Sequence, residues 1–269
     1  MLVFIRSIFL IDMALFKKIL YSLFFVFAGF LLNAQTTDLL ISEYGEGTVG
    51  NSKYIEIYNG TGLSVDLSNY RVWIIANGGS WPESSINLSG TLTNGSTYVV
   101  ANNSTDVPGA DLYSGSCSWN GDDAVGLAKN TGSWTLIDAV GTDGADPGTG
   151  WDVAGVTNAT ANYRLTRKST VCSPNTDWNA SRGTNAANSE WIVSAYTTGS
   201  ANAGHSVSCA TPTLLVNPAS LTAYSYVFGS GPSTSQSFDL SGSNLDGTQV
   251  AVSAPANYEV SLDNSSFFA

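Results

Sequence analysis

One histidine, His205, stands in a chain of 269 residues, and that scarcity limits the chemistry available. Metal sites built on paired imidazoles and the H-E-x-x-H zinc helix are excluded. A Ser-His-Asp triad would have to recruit its base from the loose end of a domain. No G-x-S-x-G elbow or P-loop occurs. His205 is therefore expected to close a domain structurally. Carboxylates are the next candidates. The Gly-rich loop GTDGADPGTGWD, ending at Asp152, offers Asp143, Asp146 and Asp152 as hard oxygen ligands for calcium, at a spacing that is not that of an EF-hand. The competing reading is a structural loop, with Pro147 and the glycines setting the turn and Trp151 packing over the core. Asp122 and Asp123 suggest paired glycosidase acids, but neighbours on a strand point to opposite faces, and a turn followed by a strand start explains them better. Glu56, between Ile55 and Ile57, is expected to pair with Arg71 or Arg164 on a neighbouring strand. Trp73, Trp81 and Trp119 are candidates for stacking on sugar rings or peptides where exposed, and for core where buried. Beyond calcium, no cofactor is indicated.

The elements that must position these residues are strands. From Asp38 onward, short apolar runs alternate with Gly, Asn, Ser and Asp, and no 3.6-residue period is sustained. Strands are expected at residues 39–44, 53–58, 70–76, 97–101, 123–128, 134–140, 163–166 and 190–193. Asn59-Gly60, Asn77-Gly78-Gly79, Asn94-Gly95 and Asn120-Gly121 supply turns with positive φ. In Tyr54-Ile55-Glu56-Ile57-Tyr58 the two isoleucines share one face, expected to be core, and the other three residues share the opposite face. This patterning predicts an all-β sandwich over residues 35–209. Residues 210–213 read as a linker. A second, incomplete β-sandwich follows over 214–269, with strands expected at 214–217, 224–228, 236–240, 249–252 and 258–262. Five strands and a stub fall short of a seven-strand sandwich, so further chain beyond Ala269 is expected.

The first 34 residues carry Lys17 and Lys18 before an apolar run from Ile19 to Leu32 that ends in Asn33-Ala34-Gln35. This is a signal-peptide pattern, with Met13 as a natural start and cleavage expected after Ala34. A membrane-spanning helix needs about 20 apolar residues, so export without an anchor is expected. The formal net charge is −11; the leader carries three of the ten basic residues and one of the twenty-one acidic ones, so the remainder stands at about −13. Such acidity disfavours direct nucleic-acid binding, which draws its affinity from clustered Lys and Arg. Of the three cysteines, any two can pair in an oxidising compartment. Cys172 with Cys209 is the favoured bridge, because both lie beside polar loop residues at the two ends of one terminal segment. Cys117 alternates with Trp119 and is expected to be a buried, inert thiol.

Several stretches, taken in order, resemble the lamin tail domain of bacterial secreted proteins. They are LLISEYGEGTVGNSKYIEIYN at Leu39 to Asn59, VDLSNYRVWI at Val65 to Ile74, GDDAVGL at Gly121 to Leu127 and LIDAVG at Leu136 to Gly141. Asp146-Pro147-Gly148 with Trp151, RLTRK at Arg164 to Lys168, Glu190-Trp191 and Gly204-His205 complete the set. The resemblance spans roughly Thr37 to Ser206, and the leader and second domain are similar to those of Bacteroidetes proteins. It implies an immunoglobulin-like fold and an accessory module to which no catalytic residues are assigned. The expected function is a secreted, non-catalytic attachment module for an extracellular protein or glycan. Two alternatives stand beside it: the N-terminal region of a secreted hydrolase, above all a nuclease, with its catalytic domain beyond Ala269, and a carbohydrate-binding or calcium-dependent adhesion module.

Overall fold

A computed structural model describes residues 2–7, 21–24, 35–144, 146–199, 201, 204–210, 213–227, 231–243, 250–254 and 257–268. The chain divides into two compact units, Asn33–Cys209 on one hand and Met1–Leu32 with Ala210–Ala269 on the other. No helix among the described residues is long and apolar enough to cross a membrane.

Ten strands build the first unit: β1 (Leu40–Glu46), β2 (Lys53–Tyr58), β3 (Tyr70–Ile75), β4 (Ser84–Asn87), β5 (Thr97–Ala101), β6 (Leu112–Tyr113), β7 (Ala124–Asn130), β8 (Trp134–Val140), β9 (Tyr163–Arg167) and β10 (Trp191–Ala195). They form a six-stranded sheet, in the order β6-β5-β2-β1-β9-β10, and a four-stranded sheet, β8-β7-β3-β4. Every pairing is antiparallel except that of β6 with β5. A short ribbon of Val65–Asp66 with Thr91–Leu92 lies outside these sheets. The chain is all-β in class, an immunoglobulin-like sandwich followed by a second β unit.

One apolar core joins the two sheets. Ile41, Tyr44, Ile55, Ile57 and Leu165 from the first meet Val72, Ile74, Val125 and Leu127 from the second, and Trp119, Trp178 and Trp191 fill the space between. Each fully buried large side chain contributes about 1.5–3 kcal/mol. At Gly141 the backbone takes φ +88°, and a Cβ would lie 2.7 Å from that of Ala124, so the turn after β8 requires glycine.

All eight strands expected in this unit form, most of them extended or trimmed by a residue or two. Further strands are not legible from pattern: β4 is largely polar, and β6 and the two strands of the short ribbon are only two residues long each. The short helix α1 (Trp178–Arg182) also escapes a strand-only reading, although its N-cap is written locally: Asp177 Oδ1 accepts from the Ala180 N–H at 3.0 Å.

In the other unit, Thr213–Asn217, Gln236–Ser243, Leu2–Ser7 and Tyr258–Ser261 form a four-stranded sheet in that order, and Ser220–Tyr224 pairs with Tyr21–Phe24. Segments assigned to the leader thus lie as strands of this unit in the uncleaved chain. The leader's Lys17, Lys18 and the cleavage position after Ala34 fall outside the described residues, as do Thr211 and Pro212 of the linker. Of the strand expected at 249–252, Val250–Val252 is not in a strand, and Gln249 is outside the description. Leu221, Tyr224, Phe238, Leu240, Tyr258 and Val260 make its core.

Candidate functional site

Ionisable side chains gather at two places in the sandwich. The first lies between the sheets. On β9, Leu165 and Arg167 both point to the core side, and Asp138 does so from β8. Arg167 Nη2 donates to both Asp138 oxygens at 2.6 and 2.7 Å, and neither side chain is exposed to solvent. The rest of the guanidinium is equally engaged: Nε donates to the Ile41 carbonyl at 3.0 Å, and Nη1 to Glu190 Oε2 at 2.5 Å and Ser181 Oγ at 3.2 Å. The plane lies 3.9 Å over the Trp191 ring. Asp138 also accepts the backbone N–H groups of Ile41, Ala139 and Asn175. A buried pair this fully hydrogen-bonded ties one sheet to the other.

The second place is the outer face of the six-stranded sheet. A β-bulge at Ser42 sets Glu43 of β1 directly opposite Glu56 of β2. Glu43 accepts from the Tyr54 hydroxyl at 3.0 Å and the Thr166 hydroxyl at 3.0 Å. Glu56 Oε1 accepts from the Ser42 hydroxyl at 2.7 Å, and Oε2 is buried with no hydrogen-bond partner among the described residues; the backbone of Gly204 lies close to the carboxyl. Burial raises the Glu43 carboxyl above its ordinary range, against the opposing pull of Arg164. Burial also lifts Glu56 to about 7, with the Glu43 charge adding to the effect. The pairing expected for Glu56 is corrected here. Arg164 Nη1 lies 3.9 Å from Glu43, because β9 flanks β1 and not β2. Arg71 lies in the opposite sheet and stacks 3.9 Å over the Trp134 ring.

That outer face is closed. Tyr54 and Glu56 show no exposed surface and Tyr58 only 5%. Tyr196 packs toward Tyr54 with ring centroids 6.2 Å apart, and His205 sits edge-on to Tyr58 at 5.0 Å. The segment that carries these residues ends in the Cys172–Cys209 disulfide, with Cα atoms 5.8 Å apart. This is the favoured pairing. Cys117 is a free, fully buried thiol, and burial pushes its pKa up to about 12.

The other candidates are scattered. Asp143 accepts from the Thr142 hydroxyl, Asp146 from the Gly148 N–H, and Asp152 from the Asn158 N–H, so each serves its own local turn. Among the described residues, no three His, Cys, Asp or Glu side chains are grouped to hold a metal ion. Asp123 accepts from the Asn77 and Asn120 N–H groups, the bonding of a turn residue. Ligand stacking by Trp119 and Trp73 is corrected: Trp119 is fully buried, stacked on Tyr44 at 6.0 Å, and Trp73 is 8% exposed. Trp81 is half-buried against the core. Sequence reasoning missed the Arg167–Asp138 tie. Its signal is a charged residue at a core-facing position of two separate strands.

The first unit is a β module of immunoglobulin-like fold. Residues 33–144 match the family model of the Lamin Tail Domain, and that stretch is similar to lamin tail domains. Strands β9 and β10, which complete the six-stranded sheet, lie beyond the matched stretch. No curated protein and no solved structure matches the chain.

Proposed function

We propose that the chain is exported and serves as a non-catalytic attachment module, binding an extracellular protein or glycan through its surface. The observation that carries this reading is where the charges are used. Arg167, Asp138 and Glu190 join the sheets, Lys53 pairs with Glu46, and Lys129 with Asp38, so these ionisable groups support the scaffold. The signal-peptide pattern and the acidic, weakly charged composition support export. Expression with the native N-terminus should release protein into the medium beginning at Gln35, as read by N-terminal mass spectrometry. The released protein should bind at least one member of a panel of extracellular proteins and glycans saturably, with no turnover of phosphodiester, phosphomonoester or glycoside substrates. Retention in the cell with the leader intact would overturn the export reading, and substrate turnover by the purified chain would overturn the attachment reading.

A further inference from the structure

We propose that the Cys172–Cys209 bridge is a thiol-operated latch, which keeps the segment Gly204–Cys209 closed over Glu56 and Tyr58 of β2. The proposal stands on the geometry of the first unit and is independent of the export and partner readings.

Strand alternation alone would leave these side chains facing solvent, since Ile55 and Ile57 take the core side. Tyr54, on the same face, is covered separately, in a cluster with Val99, Ala101 and Val107. Glu56 and Tyr58 are covered because a non-adjacent segment runs along β2 in the same sense: Gly204 reaches Glu56, and His205 and Val207 reach Tyr58. From Gly204 to Cys209 exposed and half-buried residues alternate, with His205, Val207 and Cys209 the more covered set. This is an extended strap laid on a face, with one row of side chains turned down. The strap belongs to no strand, and among the described residues its Ser208 N–H donates to the Ser169 carbonyl at 2.7 Å.

Its other attachments are weak or adverse. His205 Nε2 is buried without a hydrogen-bond partner among the described residues, which is a cost of closure. Gly204 covers a carboxyl that ionises more readily in water than under the strap. A segment with few backbone bonds and an unsatisfied nitrogen opens at low free energy unless it is tethered. The bridge supplies that tether, closing a loop 37 residues apart in sequence. A low-molecular-weight thiol opens it by exchange. Two thiol molecules are oxidised to one disulfide, and their two electrons and two protons convert the bridge to the free thiols of Cys172 and Cys209. The half-buried position of both cysteines admits such a reagent. What is uncovered is Glu56 and Tyr58 on the outer face of β2.

The single imidazole reports the latch directly. Closed, His205 titrates below its ordinary 6.5, first because burial disfavours its charged form and then because of Arg167. In the intact chain treated with dithiothreitol, NMR should show His205 titrating near 6.5. Exchange of the Gly204 and Val207 amide protons should rise by at least about tenfold. The core amides of Ile55 and Val125 should stay protected. A Cys172→Ser, Cys209→Ser double variant should behave like the reduced chain. Two results would overturn the proposal. In one, the reduced chain keeps the lowered His205 titration and slow exchange, so other contacts hold the strap. In the other, Ile55 and Val125 lose protection together with the strap, so the bridge supports the whole sandwich.

Discussion

Two buried carboxylate sites, one between the sheets and one on the outer face of β1 and β2, meet the same physical problem with different partners. Asp138 has a guanidinium bonded to both its oxygens and three backbone N–H groups beside it, and these oppose the burial that raises its carboxyl. Glu56 is just as hidden from solvent, but it accepts from one hydroxyl, its second oxygen is unpartnered among the described residues, and no cation is in contact. Its proton is retained to about 7. Burial pushes both carboxyls the same way, and the difference between them is the cation that the fold brings to one of them. The first arrangement suits a fixed joint and the second a surface that closes only conditionally.

The sharpest way to break this contrast is to remove the cation. Arg167→Ala leaves Asp138 as a buried, unpaired charge and should cost about 3–5 kcal/mol in denaturant unfolding. Replacing Arg167 with Met and Asp138 with Leu together should recover much of that loss, because neither charge is then stranded. A smaller effect is expected from pH. The folded-state values of Glu43 and Glu56 lie above their ordinary 4.5, so the native chain holds more protons than the unfolded chain as pH rises from there. Stability from both groups is present below 4.5 and falls as pH rises, the Glu56 part being lost as pH climbs through about 7, at up to about 1.4 kcal/mol per pH unit per group. Glu56→Gln should flatten that slope, and its melting temperature should exceed that of the parent chain at pH 8.

Ser42→Ala removes the hydroxyl bonded to Glu56 and should cost about 1 kcal/mol at pH 8, with less loss at pH 5, where the carboxyl is protonated. The smallest change belongs to the partly exposed Lys129–Asp38 pair, with side chains 31% and 19% exposed. Lys129→Ala should cost no more than about 1 kcal/mol, and the loss should shrink in high salt.

Much of this was legible beforehand, and the exceptions share one cause. The alternation at residues 54–58 assigns Ile55 and Ile57 to the core from sequence alone, and the polar surroundings of Cys172 and Cys209 favour their bridge. The burial of Glu56 and Tyr58 is not legible, since it depends on a segment roughly 150 residues away in sequence. Arg164 and Arg167 are indistinguishable in RLTRK until parity is set: one points outward to Glu43 and the other inward to Asp138. Trp119, read as either ligand platform or core, is resolved by its packing on Tyr44.

Sequence by itself determined the all-β class, the positions of the long strands, the inward rows and the absence of histidine-pair chemistry, because those follow from local periodicity and residue type. Only the tertiary structure decided which strands are neighbours, and hence which carboxyl meets a guanidinium and which is left under a strap. Pairing order joins residues far apart in the chain, and no local pattern encodes the distance between two side chains that meet only after the sheets have closed.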